Sequence, residues 1–366
     1  MRIGVDAREL QGRPTGTGRY LRSLLKAWPA GDELVLYFNG AAADLDALGR
    51  ADLRARALGN GGRGLMWMEH HLPAAAAGDG LDVFFAPAYF CPLRLQVPKV
   101  TTIHDMSFFS LPDDFPALEG ARRRWLVRLG LGVSARVIAV SSFTAREIAA
   151  YFPAAAARTV TILEAADADL PPAPPRDEAR RRLGLRGPYL LSVGSILNRR
   201  QLPALLAAVR SIARRWPTLV LDVVGDNRTS PILDLDGIVR SHDLGAHVRL
   251  SGFVSDEELA LRYAAADISV YLSTYEGFGL PVLESMARGL PVLTTRRPAT
   301  GELFGQAAVI TEPDDPVEIA SGLTLMLSDA GMRAELARRG RSRAAELTWT
   351  TAALQTRAVL AEAARA

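Results

Sequence analysis

Two carboxylates eight positions apart, Glu276 and Glu284, flank the run Gly277-Phe278-Gly279-Leu280-Pro281. Pro281 suits the first turn of a helix, where its missing N–H costs nothing, and Gly289 suits the stop. The spacing predicts Glu276 in a loop and Glu284 one turn inside the helix. Backbone N–H groups gather between them at the positive helix end, where phosphate binds. A carboxylate on each side of an anion site calls for a ligand that also carries hydroxyls. A nucleotide sugar offers both. The plainer alternative, a buried strand–turn–helix with Glu284 as a capping group, leaves Glu276 and the Gly-Phe-Gly turn unexplained.

Such a loop needs a strand before it and another after its helix. Ile268, Val270 and Leu272 supply the first, and Pro291 to Thr295 the second. Along the first half, apolar runs recur at 2–7, 34–38, 83–87, 99–104, 136–140 and 159–163; along the second, at 189–194, 219–225, 248–253, 268–272, 291–295 and 307–310. Helical patterns lie between most of them, which predicts α/β architecture with parallel sheets covered on both faces. Leu170-Pro171-Pro172-Ala173-Pro174-Pro175 suits a stiff linker. The expected organisation is two doubly wound, Rossmann-like domains, 1–170 and 187–347, joined by a linker over 171–186. An alanine-rich helix over 348–366 is expected to pack back across the hinge. The carboxyl ends of both sets of strands are expected to face each other across a cleft, since open α/β sheets bind ligands at that edge.

Composition narrows the function classes. The 366 residues, 49% hydrophobic, can bury two cores. The single cysteine, Cys91, excludes a disulfide framework and fits a reducing, cytoplasmic setting. No apolar run reaches the membrane-spanning length of about 18–20 residues. The net charge of +3 carries no basic stripe interleaved with aromatics, so nucleic acid is not an expected partner. The histidines His70, His71, His104, His242 and His247 make no zinc-binding spacing. A G-x-S-x-G elbow and a G-x-x-x-x-G-K-[ST] phosphate loop are both missing.

Glu276 to Pro281 with Glu284 behind it resembles the E-x7-E motif of retaining GT-B glycosyltransferases, family 4 (glycosyltransferase group 1) in particular. Other elements follow in the family's order. Met1 to Arg8 and then Pro14-Thr15-Gly16-Thr17-Gly18-Arg19-Tyr20 resemble its opening strand and glycine loop. Trp67, Glu69, Leu72 and Pro73 match W-x-E-x-x-L-P, and Thr102-Ile103-His104-Asp105 matches T-I-H-D. Ala139 to Thr144 is similar to V-S-x-x-T, Ser192 through Arg200 to V-G-x-x-x-x-R-K, and Gly252 to Leu259 to G-x-V-x-x-x-x-L. Two departures stand out. Arg200 occupies a position that is usually Lys, a planar fork in place of a point charge. Glu164-Ala165-Ala166-Asp167 stands where N-G-V-D is usual.

The resemblance implies metal-independent transfer of a hexose from a nucleoside-diphosphate sugar, a GDP-mannose or UDP-sugar co-substrate, with no other cofactor. Relatives that share the T-G-x-G-R-Y opening, here Thr15 to Tyr20, make bacterial surface polysaccharides, often from GDP-mannose, which implies a saccharide or lipid-linked saccharide acceptor. It assigns Arg199 and Arg200 to the diphosphate, Glu284 to the ribose and Glu276 to the transferred sugar. Gly277, Phe278, Gly279 and Leu280 would meet sugar and phosphate oxygens, with Phe253 and Val254 near the base. Gly16 and Gly18 would approach the diphosphate. His104 would contact the donor sugar, with Asp105 orienting it or capping the next turn. Asp6 and Arg8 are expected on the acceptor side. Asp167-Ala168-Asp169 resembles a metal-binding D-x-D but precedes the linker, and no metal is expected. Two alternatives stay open: a same-fold glycoside phosphorylase, and a catalytically silent sugar-nucleotide-binding scaffold.

Arg122-Arg123-Arg124-Trp125 and Arg128, after Ser107 to Phe115, leave a further choice. They could lie on an anionic membrane surface, placing the protein peripherally at the inner face of the membrane. Otherwise they form an ordinary amphipathic helix with Trp125, Leu126 and Leu129 facing the core.

Overall fold

The computed structural model describes the chain except residues 13, 14, 51, 60, 62, 63, 167–170 and 366, and the side chain at 47. Pro14 and the Asp167-Ala168-Asp169 stretch therefore lie outside the described residues. The chain divides into two compact units, Met1–Ala165 with Thr348–Ala366, and Ala166–Leu347.

The first unit holds seven parallel strands: β1 (Arg2–Asp6), β2 (Glu33–Asn39), β3 (Leu53–Leu58), β4 (Val83–Ala86), β5 (Lys99–Ile103), β6 (Arg136–Ala139) and β7 (Thr159–Thr161). Their order is β3-β2-β1-β4-β5-β6-β7, so the winding reverses between β1 and β4. Every central strand is buried, as a sheet covered on both faces requires. β3 is an edge strand that apolar runs alone did not reveal. Its Leu-Arg-Ala-Arg-Ala-Leu pattern turns Arg56 onto the buried carboxylate of Asp79 at 2.9 Å. On one face Leu21, Leu24 and Leu25 of the helix Gly16–Lys26 join Ile3, Val5, and Ala353 and Leu360 of the helix Trp349–Arg365 in one core. Asp32, its side chain fully buried, fixes that last helix through Arg357 Nε at 2.6 Å and also accepts from the Met1 ammonium at 3.0 Å.

The helix Ala117–Val133 buries Gly120, Leu126, Val127, Gly130 and Leu131. Trp125 falls on the opposite side and is 55% exposed, which corrects the expectation that it faces the core. With about 100° per residue, Leu118, Trp125 and Leu129 share that outer side, flanked by Arg122 and Arg128. Leu118 is 89% exposed.

The second unit holds six parallel strands: β8 (Tyr189–Val193), β9 (Val220–Val224), β10 (Val248–Gly252), β11 (Ile268–Tyr271), β12 (Val292–Thr295) and β13 (Ala308–Thr311). The order β10-β9-β8-β11-β12-β13 places its reversal between β8 and β11. Leu205, Leu206 and Val209 pack with Ile319 and Leu323 over one face. The span expected as a linker, 171–186, contains a short helix, Arg176–Arg182, immediately after the proline-rich stretch ends at Pro175. Arg176 and Arg180, one turn apart, clasp Asp267 just before β11, the second at 3.0 Å. Those contacts bind the segment to the second unit.

Candidate active site

Ligands of doubly wound sheets bind where the strand order reverses, at the carboxyl edge. In the second unit that edge carries the turn Asn198–Arg200 after β8 and the loop Ser273–Glu276 after β11. The Thr274 N–H donates to the Arg199 carbonyl at 2.8 Å and ties the two loops together. Glu276, only 8% exposed, lies with its Oε1 2.9 Å from Arg200 Nη1 and 3.8 Å from Arg199 Nε. Ser273 Oγ donates to the same oxygen at 2.7 Å. The Arg200 guanidinium also stacks on Tyr271 at 4.1 Å, a platform that suits the planar arginine fork. Burial first, and the neighbouring charge of Glu276, push the Tyr271 phenol up, so it stays neutral beside the arginine. Two mostly buried guanidinium groups thus share one carboxylate. That excess of positive charge is what a diphosphate neutralises.

Glu284 sits inside the helix Leu280–Ala287, 4% exposed. It lies against Tyr263, whose hydroxyl donates to Oε2 at 3.5 Å. Gly279 precedes the helix with φ +103°, and a Cβ there would come within 3.0 Å of Thr300 Cγ2. Phe278 is 3% exposed and packs edge-on against Phe304 at 5.8 Å. Its buried side chain anchors the turn. Phe253, in contrast, is 50% exposed, just after Gly252 at the end of β10.

The first unit gathers a second set at its own reversal. Asp6 ends β1 and accepts from Arg8 Nε at 2.9 Å and from Nη2 at 2.6 Å. The guanidinium lies over Trp67 at 4.7 Å, with Met68 Sδ 3.6 Å from Nη2. Trp67 and Met68 belong to a π-helical turn, Trp67–His71, and Glu69 from the same turn accepts from the Leu93 N–H at 3.1 Å. The W-x-E element therefore holds a loop in place and supplies the floor beneath Arg8.

The two loop glycines have different surroundings. A Cβ on Gly18 would lie 2.4 Å from the Glu9 carbonyl oxygen, whereas one on Gly16 meets nothing within 4 Å. Gly18 allows helix and turn to pack closely, and its N–H is capped by Thr15 Oγ1 at 3.0 Å. Gly16 is the open position.

His104 follows β5 and has both ring nitrogens on protein oxygens: Nδ1 at 2.9 Å from Glu164 Oε1 and Nε2 at 2.8 Å from the Pro87 carbonyl. Burial alone would lower its pKa. The hydrogen bond and charge of Glu164, with the Pro87 carbonyl and Asp105, outweigh burial and raise it. Asp105 accepts from the Ser107 N–H at 3.0 Å and hydroxyl at 2.7 Å, so it caps the next turn. Glu164, Tyr271, Ser273 and Trp67 were not singled out as site residues in the sequence. The one signal at Glu164 was its departure from the expected asparagine.

Two units, each a doubly wound parallel sheet with its polar groups at the reversal edge, define the GT-B class of fold. The description "Glycosyltransferase Family 4" matches residues 14–170, and "Glycosyl transferases group 1" matches residues 175–343. The chain belongs to this family of glycosyltransferases. It is 28% identical to O-antigen chain mannosyltransferase B of Escherichia coli, over 93% of this chain and 94% of that one. Mannosylfructose-phosphate synthase of Agrobacterium fabrum is 33% identical over 49% of this chain and 42% of its own. Among solved structures, sucrose-phosphate synthase from Thermosynechococcus elongatus superposes with a TM-score of 0.81 at 20% identity, covering 99% and 98% of the two chains. Anabaena Alr3699/HepE in complex with UDP and glucose gives 0.78 at 20% identity, covering 99% and 100%. Among the described residues no helix is long and apolar enough to cross a membrane.

Proposed function

We propose that this glycosyltransferase moves a hexose, mannose from GDP-mannose ahead of UDP-sugars, onto a saccharide or lipid-linked saccharide hydroxyl in surface-polysaccharide synthesis, with retention at the anomeric carbon. The observation that carries the reading is the pair Arg199 and Arg200 sharing Glu276 at the β8/β11 reversal. The mannosyl preference is supported by the O-antigen relative that spans nearly the whole chain. The second unit takes the donor and the first the acceptor.

As the bond from the anomeric carbon to the β-phosphate oxygen breaks, its electron pair passes to the phosphate, and Arg199 and Arg200 stabilise the charge that gathers there. The acceptor oxygen bonds the same face of that carbon, and its proton goes to the departing phosphate oxygen. Glu276 accepts from hydroxyls of the moving sugar and Glu284 from the ribose. In this scheme Glu276 is not a covalent nucleophile, because Arg200 and Ser273 already orient it toward hydrogen bonding. The arginine pair carries the charge that a metal would otherwise balance, so transfer is expected to be metal-independent. The outer side of the helix Ala117–Val133, with Leu118, Trp125, Arg122 and Arg128, supports peripheral contact with an anionic membrane face.

A panel of GDP-, UDP-, dTDP- and ADP-sugars tests the reading, by thermal shift and by turnover with wild type and Glu276→Ala. Turnover by wild type, lost in the variant with nucleotide binding retained, is the expected outcome. Binding without turnover in both would make the protein a scaffold.

A further inference from the structure

Glu164 stands near the end of the first unit, three residues after Thr161 ends β7, and its side chain is 3% exposed. It meets His104 across 60 positions of sequence. The Pro87 carbonyl can only accept, so Nε2 of His104 carries a proton. Nδ1 faces a carboxylate oxygen at 2.9 Å, and an ionised Glu164 can only accept there, which requires a proton on Nδ1 as well.

We infer that Glu164 is a positioning residue that holds His104 as an imidazolium with both N–H groups spent on the protein, making it a fixed cation at the site edge and not a proton-transfer group. The surroundings agree from every element packed against the ring. Asp105 adds negative charge on the chain side. Tyr20, from the helix Gly16–Lys26, meets the ring edge-on at 4.8 Å, and its hydroxyl is engaged with Thr102 at 3.3 Å. Tyr89, after β4, tilts against it at 5.7 Å. The departure from the family's asparagine at this position thereby has a consequence: an asparagine cannot hold the ring charged, whereas Glu164 can.

The use of that charge beside an anionic donor rests on the transferase reading, but the protonation state does not. Long-range ¹H–¹⁵N spectra of ¹⁵N-histidine protein, with His104→Asn for assignment, read it directly. At neutral pH both His104 nitrogens are expected to be protonated in wild type, and Glu164→Gln is expected to return the ring to a neutral tautomer. The pH profile of transfer follows. Glu164→Gln should match wild type at acid pH, where the ring is charged in both, and should lose activity at lower pH than wild type does, about tenfold per pH unit above its lowered His104 pKa. Glu164→Asp, which keeps the charge, should restore most of the wild-type profile and serves if the glutamine variant does not fold. A neutral His104 in wild type at pH 7, or coinciding profiles for wild type and Glu164→Gln, overturns the inference. Absence of donor turnover by wild type at any pH would defeat the transferase reading and leave the spectra to decide this one.

Discussion

Replacing Glu276 by alanine should weaken the second unit well before any catalytic effect is measured. The carboxylate is 8% exposed, accepts from Ser273 at 2.7 Å and pairs with Arg200 at 2.9 Å, while Arg199 lies 3.8 Å away. Its removal leaves two largely buried guanidinium groups without their shared counter-ion. Breaking such a pair costs about 3–5 kcal/mol. For a unit of this size about 2–4 °C accompanies each kcal/mol, so the melting temperature should fall by about 6–20 °C. A nucleoside diphosphate would supply the missing negative charge. At 100-fold its dissociation constant it adds about 2.7 kcal/mol, or about 5–11 °C, and the variant should gain at least as much as wild type. Differential scanning fluorimetry with and without GDP or UDP, alongside isothermal titration, measures both effects. A variant that melts within about 2 °C of wild type would refute the claim that Glu276 balances the arginines. Loss of nucleotide stabilisation in the variant would show that the carboxylate contacts the nucleotide itself.

Four further expectations are open to simple measurement. Gly18→Ala should cost about 1–3 kcal/mol because its Cβ would lie 2.4 Å from the Glu9 carbonyl, whereas Gly16→Ala should stay within about 0.5 kcal/mol in urea unfolding and act on donor KM. Asp32→Asn should cost about 1–3 kcal/mol at pH 7 by weakening the buried acceptor shared by the half-exposed Arg357 and the Met1 ammonium. Burial pushes the Asp32 pKa up, but hydrogen bonds from Arg357, the Met1 ammonium and Trp28 carry it below the ordinary value. That stability is therefore present above the unfolded carboxylate pKa and is lost as pH falls through the folded one, so wild type and variant should converge in acid unfolding. Transfer activity should survive chelator treatment in full; restoration by manganese or magnesium after a loss would contradict this. Vesicle flotation should show binding to anionic but not neutral liposomes, weakened in Trp125→Ser; equal flotation of the two proteins would remove the proposed membrane face.

The winding of both sheets was legible because their central strands are buried on both faces and read as continuous apolar runs. β3 was not, because an edge strand can alternate arginine with alanine and still pair along one side. The helix Arg176–Arg182 escaped for a related reason. Only one of its residues, Ala179, is buried, and arginine contacts to Asp267 replace an apolar stripe. At the site, the motifs named the loop residues but not their supports. Tyr271 reads as one more apolar strand residue until Arg200 is found on its ring. Glu164 could not be joined to His104 from sequence because the pairing spans β6 and β7 and depends on how those strands bring distant segments together. Gly18 shows the converse: a glycine inside a recognisable motif whose immediate constraint is the packing of its own backbone.

The first unit is completed by a helix that follows the second unit in the chain. As the polypeptide leaves the ribosome, Ile3, Val5, Leu21 and Leu24 must wait with one side uncovered while the entire second unit emerges. Only then do Ala353, Val359 and Leu360 arrive to close that core. The second unit is contiguous and can mature first, so the order of folding is expected to run against the order of synthesis. A chain stopped near residue 347 would present a finished second unit beside an unfinished first one, with a greasy seat open to chaperones and proteases.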